Sequence, residues 1–200
     1  MAAQATTAGA PARQRLVAAA VASFAARGFH GTTTRDIASA AGMSPAALYV
    51  HYASKEELLH EISREGHERT LRIIEAAIGS SPDPATQLAR LVEDFVRHHA
   101  VEHTTARIVN YELAALAPDH RAEIDRLRHR MDAAVRELVE RGVAAGVFAT
   151  DDARMSAGAV LSLGIDVARW YHEGLTRTPD EVAAHYRELA LRMVAAITPC

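Results

Sequence analysis

Apolar residues recur along this 200-residue chain with the period of an α-helix. Between 88 and 96 they occupy the i, i+3, i+4, i+7 and i+8 positions that share one helical face. Comparable stripes run through 17–24, 124–139 and 182–197, and the last one ends at Ile197. No stretch alternates convincingly with the period of two that marks a β-strand. The pattern therefore predicts an all-α fold of about nine helices.

The helical pattern is interrupted by segments that contain helix-breaking or turn residues, near positions 28–33, 42–44, 53, 79–84, 117–119, 146–151 and 174–179. We therefore expect a disordered lead over 1–11 and a small helical domain over 12–53. A larger helical domain should follow over 54–200. A long helix from about Ser54 to Gly79 should form the entry into that larger domain.

The segment after the first helix predicts two short helices separated by a tight turn. Thr34 can cap the first of them over 35–41, and Gly42 can end it in the left-handed conformation that glycine tolerates. Ser44 can cap the second helix, whose first residue would be Pro45, where a missing N–H costs nothing. A helix, a glycine-containing turn and a second helix make up the helix-turn-helix arrangement.

Composition limits the classes of protein to which the chain can belong. With 49% hydrophobic and 24% charged residues it can bury a core. Its only cysteine, Cys200, leaves no disulfide framework or zinc-finger spacing. No apolar run reaches the roughly 20 residues that span a bilayer, and the first residues do not resemble a signal peptide. We expect a cytoplasmic protein with no membrane partner and no cofactor.

The net charge of −3 is unevenly distributed along the chain. Residues 1–60 carry five basic and three acidic side chains, whereas the remaining residues carry 17 basic and 22 acidic ones. Lys55, the only lysine, lies in the basic part. A mildly basic end on an acidic body is compatible with DNA binding through that end alone.

The segment "TTTRDIASAAGMSPAALYVHYASKEELL", Thr32–Leu59, resembles the DNA-binding signature of the tetracycline-repressor (TetR) family. The preceding "FAARGFHGTT" is similar to the end of that family's first helix, and the rest of the chain fits in helix count and length. The resemblance implies an N-terminal three-helix DNA-binding domain and a larger ligand-binding and dimerisation domain. It also implies a homodimeric repressor that a small effector releases from a palindromic operator in double-stranded DNA.

The same resemblance implies which positions face DNA. Backbone contacts are expected at Thr34, Arg35, Ser44, Tyr49, His51, Tyr52 and Lys55, and base contacts at Pro45, Ala46 and Ala47. Many relatives carry a cation in place of Pro45, so sequence readout is expected to rest on methyl contacts, Arg35 and DNA shape. Lys55 should bind a phosphate together with the start of the long helix. The alternatives are a core position for Tyr52, a packed Tyr49 and a solvated His51.

The stretch 155–170, "MSAGAVLSLGIDVARW", is apolar on nearly all sides, so it should be buried on more than one face. We expect two helices, over about 152–173 and 180–197, to form the four-helix dimer interface that the TetR resemblance implies. Gly164 should allow helices of the two subunits to approach closely. The alternative is an ordinary core helix of a monomer.

The body is expected to enclose an elongated, mostly apolar pocket. Its predicted lining consists of Phe95, His99, Ile108, Tyr111, Glu112, Met131, Val135, Leu161, Ile165 and Arg169. The segment "RWYHEGLTRTPDEVAAHY" resembles one found in family branches that control fatty-acid or steroid catabolism and sense acyl-CoA thioesters. An acyl-CoA-like effector, with a phosphate near Arg169, is therefore favoured, and an aromatic drug or antibiotic is the alternative. Arg169 could otherwise serve only to cap its helix.

Other chemistry is less well supported by the sequence. A metal site is one interpretation of the histidine cluster, whose candidate ligands are His98, His99, His103, Glu102 and Glu112. Solvated or pocket-lining histidines are favoured, and no metal is expected. No glycine-rich phosphate loop or nucleophile elbow occurs, so we expect no enzymatic activity. An architectural DNA binder without an effector is a further alternative, but it would not need the large apolar body.

Overall fold

A computed structural model describes residues 11–194, which form nine α-helices and one short 3-10 turn and contain no strand. The elements are α1 Ala12–Arg27, α2 Thr34–Ala40, α3 Pro45–His51, α4 Lys55–Ile78, α5 Pro84–Val101, α6 His103–Tyr111, the turn Leu113–Ala115, α7 Pro118–Ala144, α8 Ala153–Trp170 and α9 Pro179–Val194. The predicted all-α fold is confirmed. Most of the expected lead, residues 1–10, and the positions Ile197 and Cys200 lie outside the described residues. Over 11–194, no helix has both the length and the apolar character needed to cross a membrane.

Polar side chains fix the starts of the short helices. Ser44 accepts a hydrogen bond from the N–H of Ala47 at 3.2 Å and caps α3, as predicted. The cap of α2 is Thr33 and not Thr34, because Thr33 and Asp36 exchange hydrogen bonds in a capping box. α2 therefore begins one residue earlier than expected. Gly42, at φ 65°, makes the predicted left-handed turn.

Two clusters of buried apolar residues hold the helices together. We call α1–α3 the head and α4–α9 the body. The head cluster joins α1–α3 to the first half of α4 and also takes in Ile108 and Val109 of α6 and Ile124 of α7. The body cluster lies between the second half of α4 and helices α5, α7, α8 and α9. Leu127 of α7 packs against both clusters, so the head and the body share a continuous contact.

Gly164 lies on the inner face of α8. A Cβ atom there would lie 2.4 Å from Cδ1 of Phe95 on α5, so only glycine allows these two helices of one chain to pack this closely. The expected role of Gly164 between subunits is therefore corrected, because its close contact is within the chain. The outer face of α8 and α9 exposes apolar side chains instead: Met155, Leu163, Trp170 and Met193.

Candidate DNA-binding surface and ligand cavity

α3 presents a small, apolar outer face. Leu48 is fully buried in the head cluster and anchors the helix, while Pro45 and Ala46 are exposed at its start. Such short side chains let the helix backbone approach a major groove closely. Val50, 80% exposed, continues this face and was not predicted. Its spacing of i+4 from Ala46 is the signal that could have identified it.

Polar predicted residues lie beside this face. The hydroxyl oxygens of Thr34 and Tyr49 are 3.1 Å apart and link the start of α2 to α3. Arg35 is exposed and forms no ion pair with the described residues. The Ser44 hydroxyl is exposed while it caps α3, and His51 is half-buried at the end of that helix. Thr34, Arg35, Ser44 and Tyr49 thus border the outer face of α3.

Tyr52 lies in the core and not on this surface. It is 2% exposed, its hydroxyl donates to Oε1 of Glu61 at 2.9 Å, and the guanidinium of Arg13 stacks over its ring. Burial, followed by the hydrogen bond to Glu61, raises the pKa of the Tyr52 phenol. The expected DNA contact of Tyr52 is therefore corrected to a structural role that joins α3 to α4.

Lys55 is largely engaged inside the protein. Its Nζ donates to the carbonyl oxygens of Phe29 and Thr32, each at 2.8 Å, and lies 4.3 Å from the centre of the Phe29 ring. These contacts fasten the start of α4 to the loop between α1 and α2. An ammonium group has three donors, so one N–H of Lys55 is left for a ligand outside the protein.

A cavity of about 820 Å³ lies in the body between α4, α5, α6, α7 and α8. Half of the predicted pocket residues line it: Phe95, His99, Met131, Leu161 and Ile165. Tyr111 and Arg169 instead line a neighbouring groove of about 520 Å³. The cavity and the groove share Asn110, Arg128, Ser162 and Ile165, so the two spaces meet there.

Three predicted pocket residues do not reach the cavity. Ile108 is buried in the head cluster, because it lies on the side of α6 that faces α1 and α4. Val135 is fully enclosed in the body cluster. Glu112 lies at the contact between body and head, where Oε1 accepts a long hydrogen bond of 3.4 Å from the N–H of Phe29. These three expectations are corrected.

Two buried histidines form part of the cavity wall. The Nδ1–H group of His67 donates to the carbonyl of Ser63 at 2.7 Å, and that of His99 donates to Phe95 at 2.8 Å. Burial lowers the pKa of each imidazole to about 4, so both are neutral at pH 7 and present Nε2 as an acceptor. His67 was not predicted. Its position on the inward stripe of α4, between Ser63 and Leu71, could have indicated it.

The cavity is more polar than the sequence suggested. Apolar atoms form most of its surface, yet further polar side chains line it: Thr70, Asn110, Asp125, Arg128, His129, Asp132, Arg154 and Ser162. His98 and His103 do not join His99 there. Between residues 11 and 194, no group of three His, Cys, Asp or Glu side chains could hold a metal ion. The cavity therefore suits a partly apolar molecule that also carries polar groups.

Two family models match the chain. The model described as "Bacterial regulatory proteins, tetR family" matches residues 16–62, which contain the helix-turn-helix. The model described as "Tetracyclin repressor-like, C-terminal domain" matches residues 81–194, which contain most of the cavity lining. Together they cover most of the head and most of the body, and residues 63–80 lie between the two matches.

Individual relatives extend over nearly the whole chain. The HTH-type transcriptional repressor KstR2 of Mycobacterium tuberculosis is 30% identical over 90% of each chain. Its structure, described as a ketosteroid transcriptional regulator, has a TM-score of 0.86 at 26% identity over 95% of this chain and 99% of that chain. A tetR-family regulatory protein from Rhodococcus RHA1 has a TM-score of 0.88 at 42% identity over 94% and 98% of the two chains.

AibR in complex with isovaleryl coenzyme A and operator DNA has a TM-score of 0.82 over 90% of this chain and 97% of that chain. Its identity to this chain is 20%, so this likeness concerns the fold alone. AibR therefore shares the fold described above in a complex that holds isovaleryl coenzyme A and operator DNA.

Proposed function

The chain belongs to the TetR family of DNA-binding transcription regulators, which are not enzymes, and we propose that it is a homodimeric repressor released from a palindromic operator by an acyl-CoA-like effector. The observation that carries this proposal is the combination of an exposed α3 face in the head with a partly open cavity in the body. Repression of chromosomal genes takes place in the cytoplasm, which is the location we propose.

The DNA-binding surface that we propose is centred on α3. Pro45, Ala46, Ala47 and Val50 face the bases, and their methyl and methylene groups contact thymine methyl groups. The DNA backbone is contacted by polar side chains around this face: Thr34, Arg35, Ser44, Tyr49, His51 and the free N–H of Lys55. In a dimer the two α3 helices enter successive major grooves, about 34–36 Å apart along the operator.

The dimer that we propose forms through the outer faces of α8 and α9. Met155, which also borders the cavity, is 69% exposed, and Leu163, which also borders the neighbouring groove, is about 40% exposed in the single chain, as are Trp170 and Met193. Apolar side chains grouped in this way commonly mark a protein–protein interface. A second copy of the chain would remove them from water, and the two-fold axis of the dimer would match the palindrome.

The effector that we propose is an acyl-CoA thioester. Its acyl group would occupy the cavity, and its nucleotide end would lie along the neighbouring groove, where Arg169 is exposed and pairs with Asp166 at 2.8 Å. The description of AibR as a complex with isovaleryl coenzyme A supports this class of ligand, and the description of KstR2 as a ketosteroid regulator supports a largely apolar effector. The polar lining of the cavity would accommodate the thioester and hydroxyl groups.

Release from DNA requires that the effector bind the DNA-free arrangement of the two heads better than the DNA-bound arrangement. α4 is placed to carry this difference, because it contributes His67 and Thr70 to the cavity and Leu58 and Leu59 to the head cluster. A displacement of α4 by the effector would change the spacing of the two heads in the dimer.

The test is release of a fluorescent operator, selected from a random DNA library, in an anisotropy titration. Acetyl-, isovaleryl-, octanoyl- and palmitoyl-CoA are compared with free CoA as the control and with tetracycline as a compact aromatic compound. We expect at least one thioester to release the operator and free CoA to leave it bound. Release by tetracycline alone would assign the protein to the drug-sensing class instead.

A further inference from the structure

Arg128 of α7 has no direct carboxylate partner among residues 11–194, although Asp125 offsets part of its charge from a distance. Its Nη1 approaches Oδ1 of Asn110 at 3.4 Å and Nε2 of His67 at 3.5 Å, both long for hydrogen bonds. It forms no ion pair with any residue of the range 11–194. The side chain is half-buried, and this burial lowers the pKa of the guanidinium. A half-buried cation without a counter-charge is costly unless a ligand supplies one.

Neighbouring side chains hold Arg128 in place without neutralising it. His67 donates from Nδ1 to Ser63, so its Nε2 can only accept from Arg128. Asn110 donates from Nδ2 to the carbonyl of Ala106 at 2.8 Å, which turns its Oδ1 toward the guanidinium. Both neighbours are neutral acceptors. They orient Arg128 and leave most of its donors free.

Neither acidic residue of the cavity forms an ion pair with Arg128. Asp125, one turn before Arg128 on α7, accepts from Nε of Arg121 at 2.9 and 3.0 Å. Asp132, one turn after it, lines the cavity together with Arg154 and makes no ion pair with Arg128. Arg121 adds positive charge beside Arg128 while Asp125 offsets part of it, and the guanidinium keeps donors that can bind a negative group.

Arg128 also occupies the point where the cavity meets the groove, because it lines both of them. We propose that Arg128, positioned by His67 and Asn110, binds an anionic oxygen group of the effector, either a carboxylate or a phosphate. The planar guanidinium suits both groups, since it can donate two parallel hydrogen bonds. This inference rests on the proposed function in taking the cavity as the effector site.

The experiment compares three probes that share one acyl chain. Octanoate carries a carboxylate, octanoyl-CoA carries phosphates, and octanoyl-N-acetylcysteamine is a thioester without charge. Binding to the DNA-free protein is measured by calorimetry for the wild type, Arg128→Gln and Arg128→Lys. Arg126→Gln is the matched control, because Arg126 lies on the exposed side of the same helix. Thermal melting verifies that each variant is folded.

We expect Arg128→Gln to weaken binding of at least one anionic probe by about tenfold to a hundredfold, the effect of a charge-assisted contact. Arg128→Lys should lose less affinity for that probe. The uncharged thioester should bind the wild type and all variants with the same affinity. A loss for octanoate alone identifies a carboxylate, and a loss for octanoyl-CoA alone identifies a phosphate. Unchanged binding of both anionic probes, an equal loss for the uncharged one, or no binding of either anion to the wild type overturns the inference.

Failure of this inference can be told apart from failure of the proposed function. If thioesters release the operator equally from the wild type and from Arg128→Gln, the regulatory proposal holds and the role of Arg128 is wrong. If Arg128→Gln loses affinity for an anionic probe but no thioester releases the operator, the binding site is right and the proposed regulation is wrong.

Discussion

Lys55 shows at the scale of one residue how a side chain can serve both the fold and the DNA contact. Two of its three donors hold the loop between α1 and α2 through the carbonyl groups of Phe29 and Thr32. We predict that Lys55→Ala lowers the free energy of unfolding by about 1–3 kcal/mol, because hydrogen bonds from a charged donor and a contact with the Phe29 ring are lost. Denaturant unfolding measures this change.

The same variant tests the remaining donor of Lys55. If that donor binds a phosphate, Lys55→Ala should lower the slope of log affinity against log salt by about 1. Arg35→Ala is the control, because Arg35 is exposed and forms no ion pair with the described residues. The Arg35→Ala variant should lower the slope of log affinity against log salt without lowering the free energy of unfolding. Full DNA affinity of Lys55→Ala at every salt concentration would show that Lys55 has no part in binding.

His67 and His99 make stability depend on pH. Their pKa is about 4 in the folded protein and near the ordinary 6.5 in the unfolded chain. As the pH falls below about 6.5 the unfolded chain takes up protons first, so stability is full above this pH and declines toward pH 4. The decline should approach about 1.4 kcal/mol per pH unit for each histidine.

Thermal unfolding between pH 7.5 and 4.5 tests this pH dependence. His67→Gln and His99→Gln should each flatten the decline in melting temperature, whereas His185→Gln, at an exposed site of α9, should leave it unchanged. A wild-type melting temperature that stays constant over this range would contradict the buried, neutral state of the two histidines.

Local chemistry is what the sequence predicts well at this scale. The Ser44 cap, Pro45 at the first position of α3 and the turn at Gly42 depend on neighbouring residues, and all three are observed. The surroundings of Lys55 could not be predicted, because its partners lie 23 and 26 positions away in the chain. The helical period alone likewise could not show that the hydroxyl of Tyr52 meets Glu61.

At the scale of helices, α4 and α7 both run from the head cluster to the body cluster. They are joined at the head end by His60 and His120, whose rings stack at 3.7 Å with an interplanar angle of 3°. His60 pairs with Glu123 at 3.0 Å, and His120 pairs with Glu56 at 2.9 Å. These contacts couple the N-terminal parts of α4 and α7.

We predict that His60 and His120 stabilise the fold cooperatively. His60→Ala and His120→Ala should each lower the free energy of unfolding. Because the two rings stack, the sum of these two losses should exceed the loss in the double variant by about 0.5–1.5 kcal/mol. Urea unfolding of the four proteins measures the difference. Strictly additive losses would show that α4 and α7 are not coupled through this pair.

Periodicity predicts that a helix exists, but not which neighbour each buried face meets. In α6, Val109 both packs in the head cluster and lines the cavity, whereas the adjacent Ile108 packs in the head cluster alone. The break between α5 and α6 at Glu102 also gave no sequence signal, since neither glycine nor proline is present there. Tertiary packing decides both features.

At the scale of the whole molecule, binding to a palindromic operator requires a dimer. We predict that Leu163→Asp and Met193→Asp yield monomers at micromolar concentration, because each would place a charge within an apolar interface. Light scattering after gel filtration measures the mass. Val101→Asp is the control, since Val101 is 57% exposed and is the last residue of α5, outside α8 and α9. A wild-type protein that is itself monomeric would contradict the proposed interface.

An effector in the cavity and an operator bound to the two heads should each weaken the binding of the other. Calorimetry tests this directly by measuring the affinity of the operator-releasing thioester for the free protein and for the protein–operator complex. Because coupling between two sites is reciprocal, the operator should weaken thioester binding by the same factor by which the thioester weakens operator binding, typically about 5- to 150-fold. Equal affinity of the thioester for the free and the operator-bound protein would contradict the account.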